Sequence, residues 1–196
     1  LNKLGFSPSE IAWSYSSTAI AAILSPVLVG VIADRYFAAQ KVLGWLHIVG
    51  GGLMLLLAWQ IQFSTFFPLL VVYALTYMPT VALTNSIAFA NIRDTEKDFP
   101  RIRVLGTLGW IASGLVVGFV LPPLLGMENV SDTNLPLIVT AIASVLLGLY
   151  SFMLPNTPPK VGQRTDIKDL LGLNALGLLR DRSFAIFALC SFLFCM

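Results

Sequence analysis

The sequence predicts an all-α, polytopic membrane protein, a bundle of apolar helices that cross a lipid bilayer. Two observations support this fold class. Only 11% of the 196 residues are charged, whereas a soluble domain carries about a quarter. The charges are also confined to short segments between uncharged runs, several of them long enough for the roughly 20 residues that one crossing needs. The net charge of +2 comes without a basic patch interleaved with aromatic residues, which excludes nucleic acid as a partner.

The apolar stretches predict five complete spans and the start of another. Polar residues at 60–65 divide the longest uncharged run into two spans. Ser7 or Ser9 is expected to cap the first helix, and Pro100 to lie in the first turn of the fourth. The predicted spans lie near residues 11–33, 42–59, 66–89, 102–124 and 135–154, with a further span that starts at 183.

The distribution of lysine and arginine predicts which side of the membrane each loop faces. Eleven of the twelve basic residues fall in the segments 34–41, 90–103 and 155–182, and only Lys3 lies in the alternate loops. Because cytoplasmic loops are enriched in Lys and Arg, these three segments are predicted to be cytoplasmic.

The segment 155–182 is predicted to be a cytoplasmic linker between two membrane bundles. It opens with a helix-breaking stretch that contains Pro155, Pro158 and Pro159, and a mildly amphipathic helix is predicted at 166–179. We therefore expect an N-terminal transmembrane bundle at 1–154 and the start of a C-terminal bundle at 183–196. The chain begins without Met, so we expect it to be an internal piece of a transporter-sized protein whose first span precedes Leu1.

A charged motif lies where the first span meets its loop. Gly30 permits close helix approach, and Asp34 beside Arg35 is costly at a membrane boundary unless it is paired. The arrangement is either a latch for the cytoplasmic ends of two bundles or an ordinary charged loop edge. It resembles the loop 2–3 signature of the major facilitator superfamily, although Phe37 replaces the later glycine of that signature.

Four residues on the third and fourth spans are candidates for a solute site. Asn85 is a polar amide within a span, and Arg103, Thr107 and Trp110 follow at i, i+4 and i+7, which places them on one helix face. A guanidinium, a hydroxyl and an aromatic plane suit a polar, ring-shaped solute. The residues alone leave the alternative open that Arg103 is a membrane anchor beside Arg101 and that Trp110 is a packing residue.

Three segments resemble the nucleoside:proton symporter family of the major facilitator superfamily: YMPTVALTNSIAF, DFPRIRVLGTLGW and LLGLNALGLLRDRSFAIF. The resemblance implies the N-terminal half of a transporter that takes up nucleosides by alternating access, in the inner (cytoplasmic) membrane. It also implies that Arg103 and Thr107 line the nucleoside site, followed by an aromatic residue at Trp110 where relatives can have Phe. The implied coupling ion is a proton, with no other cofactor, and the implied partner is the C-terminal half of the same transporter.

Other functions remain as alternatives. One is a major facilitator transporter of a different small solute, such as a sugar, and another is a membrane enzyme or a non-transporting scaffold. The sequence contains no Ser–His–Asp arrangement, phosphate loop or metal-spaced cluster, so no enzyme is predicted. Every Asp and Glu lies in or beside a loop, so a proton-coupling carboxylate is expected outside this chain. His47 is expected to be a hydrogen-bonded packing residue, and the glycines at 50–52, 106, 109, 114 and 118 to permit close helix packing.

Overall fold

A computed structural model of the chain describes residues 4–35, 37–127, 129–130, 133–158, 177–178 and 180–195, with side chains except at 26–35 and 192–195. Among these residues the regular structure is helical and no strand occurs. The elements, in chain order, are α1 (Pro8–Arg35), α2 (Ala39–Leu57), α3 (Phe63–Asn91), α4 (Thr95–Leu115), a π turn (Val116–Val120), α5 (Leu121–Leu125), α6 (Leu135–Ser151) and α7 (Arg182–Cys195).

Three helical stretches within the described residues are long and apolar enough to cross a membrane. They are Ala39–Leu57, Phe63–Asn91 and Thr95–Leu125, the last of which joins α4, the π turn and α5. The helix α6 is shorter, with 17 residues, and it ends at Ser151 where the predicted span continues to 154. The predicted linker helix at 166–179 lies outside the described residues, apart from 177–178.

The first helix begins with a capping box. Ser7 Oγ accepts a hydrogen bond from Glu10 N at 3.3 Å, and the Glu10 carboxylate accepts one from Ser7 N at 2.7 Å. Pro8 occupies the first helical position, where its missing N–H costs nothing. Of the two predicted caps, Ser7 is therefore the one that the structure uses.

The fourth helix begins earlier than predicted. Its cap is Asp94, whose carboxylate accepts hydrogen bonds from the backbone N of Glu96 at 3.1 Å and of Lys97 at 3.2 Å. Pro100 therefore lies inside α4, and its predicted place in the first turn was wrong. Hydropathy marks only the apolar part of a helix, whereas this helix continues through a charged segment before it becomes apolar.

Four helices form a packed bundle in which α2 contacts both α3 and α6, and α1 lies against α3. Buried apolar side chains form a cluster at each end of α2. The cluster at the end where α2 stops contains Phe6, Met54, Leu57, Phe66 and Ala141. The cluster at the end where α2 starts contains Ala39, Leu43, Leu83 and Ile87.

The helices α2 and α6 approach so closely that side chains would collide at their glycines. A Cβ atom at Gly51 would stand 2.7 Å from Val145 Cγ2. A Cβ atom at Gly148 would stand 2.8 Å from Ile48 Cγ1 and 2.9 Å from the carbonyl oxygen of Gly44. Since a backbone atom cannot move aside cheaply, these positions require glycine.

The helix α4 differs from this bundle because none of its residues is buried within the described structure. It meets α3 near its own first turns, where the ring of Phe99 stacks on that of Phe89 with centroids 4.3 Å apart. At its other end the backbone widens into the π turn. We attribute the π turn to Pro122 and Pro123, which have no N–H to continue the α-helical bonding pattern.

Candidate solute-binding groove

The candidate site is a groove between α3 and the middle of α4. Its volume is about 480 Å³, within the range of small-molecule sites in proteins, about 300–1,000 Å³. The four side chains predicted as solute-binding, Asn85, Arg103, Thr107 and Trp110, all line this one groove. The complete lining is Thr84, Asn85 and Ala88 from α3, with Phe99, Ile102, Arg103, Gly106, Thr107 and Trp110 from α4.

The α4 wall of the groove is a single stripe of the helix. From Phe99 to Trp110 its members follow at the spacing of one helical face, three or four residues apart or adjacent. Because α4 is continuous over this stretch, Arg103 and Trp110 stand about 10 Å apart along the helix axis. The stripe therefore presents its charged group more than two turns into the helix and its indole ring about two turns further on, in the apolar part.

Two polar groups of the groove have no partner in the described part of the chain: the Asn85 amide and the Arg103 guanidinium. Other basic side chains of the same helix do have partners, since Lys97 Nζ lies 3.3 Å from Asp94 Oδ2 and Arg101 Nη1 lies 4.0 Å from an oxygen of Asp98. An unpaired charge or amide is costly in an apolar environment. Both groups therefore retain hydrogen-bonding capacity that a polar solute could use.

Thr107 and Trp110 add an acceptor and a stacking surface. Thr107 Oγ1 donates to the Arg103 carbonyl oxygen at 3.2 Å, so the hydroxyl retains lone pairs that can accept a further hydrogen bond. The side chain of Trp110 is 81% exposed, which leaves its indole face open to stack on a planar ring. Together with Arg103 and Asn85, the groove offers donors, acceptors and an aromatic plane.

The predicted latch residues Gly30, Asp34 and Arg35 lie in the last turns of α1. Their side chains fall outside the described positions, so the structure places their backbone on a helix and leaves the latch as a prediction.

His47 lies in the α2–α6 interface and does not line the groove. It is 7% exposed, and Ser144 Oγ donates to its carbonyl oxygen at 2.9 Å. Because the hydroxyl proton is used in that bond, the 3.2 Å contact between His47 Nδ1 and Ser144 Oγ requires the ring nitrogen to donate. His47 is therefore a hydrogen-bonded packing residue, as its sequence context predicts.

Five lining residues were not predicted: Thr84, Ala88, Phe99, Ile102 and Gly106. The signal for three of them was present in the sequence, because Phe99, Ile102 and Gly106 share the helical spacing of Arg103 and Trp110. Thr84 lies next to Asn85 on α3, and Ala88 lies one turn further along that helix. Neither could be predicted, because the sequence does not show that this part of α3 packs beside this face of α4.

Comparison with known proteins assigns the family. Residues 1–196 match the family described as Nucleoside H+ symporter. The chain belongs to this family. The resemblance drawn from the sequence segments is thus confirmed.

Two proteins of Escherichia coli (strain K12) show the extent of the similarity. YegT is 62% identical over 196 residues, which cover 100% of this chain and 46% of YegT. Xanthosine permease is 34% identical over 201 residues, which cover 100% of this chain and 45% of the permease. The chain therefore spans a little under half the length of these relatives.

The fold comparison agrees with the sequence comparison. The crystal structure of the nucleoside transporter NupG matches with a TM-score of 0.74 at 30% identity, over 97% of this chain and 46% of that chain. The all-α major facilitator fold predicted from the sequence is thereby confirmed. With its long apolar helices, the chain is part of a multi-pass membrane protein, and its family is one of transporters rather than enzymes.

Proposed function

We propose that this chain forms one wall of the substrate site in a proton-coupled nucleoside transporter that works by alternating access. The observation that carries the proposal is the groove itself, where an exposed indole and two polar groups without a partner among the described residues line one space of about 480 Å³. Membership in the Nucleoside H+ symporter family supports nucleosides as the substrate class and a proton as the coupling ion. The names of two similar proteins, xanthosine permease and nucleoside permease NupG, support the same substrate class.

The four predicted residues of the groove have distinct roles in this proposal. Arg103 donates to carbonyl or hydroxyl oxygens, Asn85 donates and accepts, Thr107 accepts, and Trp110 stacks on the base. The exposed face of α4 would meet a second bundle, so that the solute binds between two halves near the middle of the membrane. The proton-binding carboxylate would lie in that second bundle.

The remaining sequence predictions complete the proposal. Residues 1–154 would form the N-terminal bundle, 155–182 the cytoplasmic linker and 183–196 the start of the second bundle. The basic segments would face the cytoplasm across the inner membrane. Asp34 and Arg35 would latch the cytoplasmic ends of the two bundles when the transporter faces outward.

The test is uptake of labelled uridine and adenosine by the full-length protein in proteoliposomes with an imposed proton gradient. We expect uptake that requires the gradient, and we expect Arg103→Ala to weaken nucleoside binding about tenfold or more, because a hydrogen bond to a charged group is lost. Arg101→Ala is the matched control, since Arg101 lies two residues away and outside the groove.

The outcomes separate the parts of the proposal. Equal binding by wild type and Arg103→Ala would contradict the site assignment. Competition of uptake by sugars but not by nucleosides would contradict the substrate class. Uptake that is unaffected when the proton gradient is collapsed would contradict proton coupling.

A further inference from the structure

The segment 155–158, which follows α6, is not helical and is held to the bundle by side-chain hydrogen bonds. The central contact is the amide of Gln40 in the first turn of α2, which is only 4% exposed. Its Nε2 donates to Asn156 Oδ1 at 2.7 Å, and its Oε1 accepts from Thr157 N at 3.0 Å. Both halves of this buried amide are therefore satisfied by one short segment.

Thr157 is also bound by the ends of two helices. Its carbonyl oxygen accepts from Ala39 N at 3.0 Å, and its hydroxyl oxygen accepts from Asn91 Nδ2 at 3.2 Å. Ala39 N is the first of the helix donors that α2 cannot satisfy internally. The Thr157 carbonyl satisfies this donor from outside the helix.

Apolar packing supports the same junction. Leu154, the residue before the segment, packs on the buried cluster of Ala39, Leu43, Leu83 and Ile87. The end of α3, the start of α2 and the chain after α6 are thus joined at one point. No member of this junction lines the solute groove.

We propose that Gln40 is a positioning residue for the transport cycle, which pins the segment 155–158 to the ends of α2 and α3. The chain that follows α6 is then held to the bundle as far as Pro158. The inference rests on the proposed function, because two halves that rock against each other are limited by the chain that connects them. Loss of the pin adds residues 155–158 to that connection and slows the conformational step without changing the groove.

A pair of charge substitutions tests the pin. In Gln40→Glu the carboxylate still accepts from Thr157 N, the Asn156 amide can turn to donate to it, and the start of α2 favours a negative charge. In Asn156→Asp the new carboxylate still accepts from Gln40 Nε2. The double variant brings two carboxylates together with no donor between them, so it breaks a contact that each single variant keeps.

The measurements use the full-length protein in lipid nanodiscs and proteoliposomes. We expect nucleoside turnover within about twofold of wild type in each single variant and about tenfold slower in the double variant, with the nucleoside Kd unchanged, because a conformational step limits turnover in many such cycles. Hydrogen exchange at the Thr157 amide should be faster in the double variant only.

Three results would overturn the inference. The first is Thr157 exchange that is no faster in the double variant than in wild type, which would show that Gln40 does not hold the segment. The second is faster exchange with unchanged turnover, and the third is slower turnover with a nucleoside Kd that is raised by the same factor. Absence of nucleoside transport by the wild-type protein would instead contradict the proposed function, and the inference would fall with it.

A neutral variant covers the case in which the double variant does not fold. Asn156 is exposed, so Asn156→Ala removes the acceptor for Gln40 Nε2 without adding charge. We expect turnover to fall about threefold at constant Kd, a smaller loss because the Thr157 contacts remain. Wild-type turnover in this variant would also overturn the inference.

Discussion

The α2–α6 interface and the exposed face of α4 are both rich in glycine, yet the space beside the glycines is filled in one region and open in the other. In the interface, Gly51 and Gly148 lie against the backbone of the facing helix, and an added Cβ would come within 3 Å of it. On α4, an added Cβ at Gly106 or Gly109 would meet nothing within 4 Å among the described residues. A glycine in a membrane span thus shows only that a side chain is absent, whereas the neighbouring element decides whether that absence permits helix contact or leaves room for a solute.

The two regions therefore have different roles, one in stability and one in binding. The interface joins α2 and α6 by close backbone contact and by the Ser144–His47 hydrogen bonds, so its substitutions should change stability. The α4 face lies along the groove, so its substitutions should change binding.

The largest effect is expected for Gly148→Ala. The added methyl group would collide with Ile48 and with the carbonyl oxygen of Gly44, and overpacking of this kind destabilises a protein by about 1–3 kcal/mol. Thermal unfolding of the purified protein should show a lower Tm than wild type. Gly109→Ala is the control, because it replaces a glycine in open space and should leave Tm unchanged or slightly higher. Equal Tm values for the two variants would remove the distinction between the regions.

Gly106→Ala is expected to have an intermediate effect, of a different kind. Its methyl group would enter the groove between Arg103 and Trp110 without touching the protein. If the groove binds the nucleoside, one extra methyl group should weaken binding by about tenfold, while Tm remains at the wild-type value. Nucleoside titration against the Gly109→Ala control checks this prediction, and unchanged affinity for Gly106→Ala would argue that the solute does not occupy this part of the groove.

Ser144→Ala is expected to have the smallest effect. It removes both hydrogen bonds with His47, and such contacts between membrane helices contribute about 0.6 kcal/mol on average. We expect a slightly lower Tm and an unchanged pH dependence of transport, because His47 lies outside the groove. A shifted pH profile would show that His47 takes part in proton coupling after all.

Much of the fold could be predicted from the sequence because the bilayer imposes a simple length rule. Uncharged runs located the long helices α1, α2, α3 and α4. The start of α1 was predicted as a cap at Ser7 or Ser9, and the structure uses Ser7. The start of α4 was misplaced because the Asp94 cap lies in a charged segment that hydropathy treats as loop.

The groove was predictable only in part, for a similar reason. Helical spacing placed Arg103, Thr107 and Trp110 on one face, and a polar residue within a span marked Asn85. Local patterns do not show which helix faces that stripe, so Thr84 and Ala88 were missed. The same limit explains the glycines of α4, for which close packing was expected: in the described part of the chain no other element touches them closely.

The π turn at Val116–Val120 changes which face of the span the residues after it occupy. A turn of this kind accommodates one extra residue, so each position beyond it is rotated by about 100° relative to an uninterrupted α-helix. A helical wheel drawn from Arg103 and Trp110 therefore assigns the wrong face to the residues of α5. Residues before the π turn and residues after it, as far as Leu125, need two separate helical wheels that differ by this rotation.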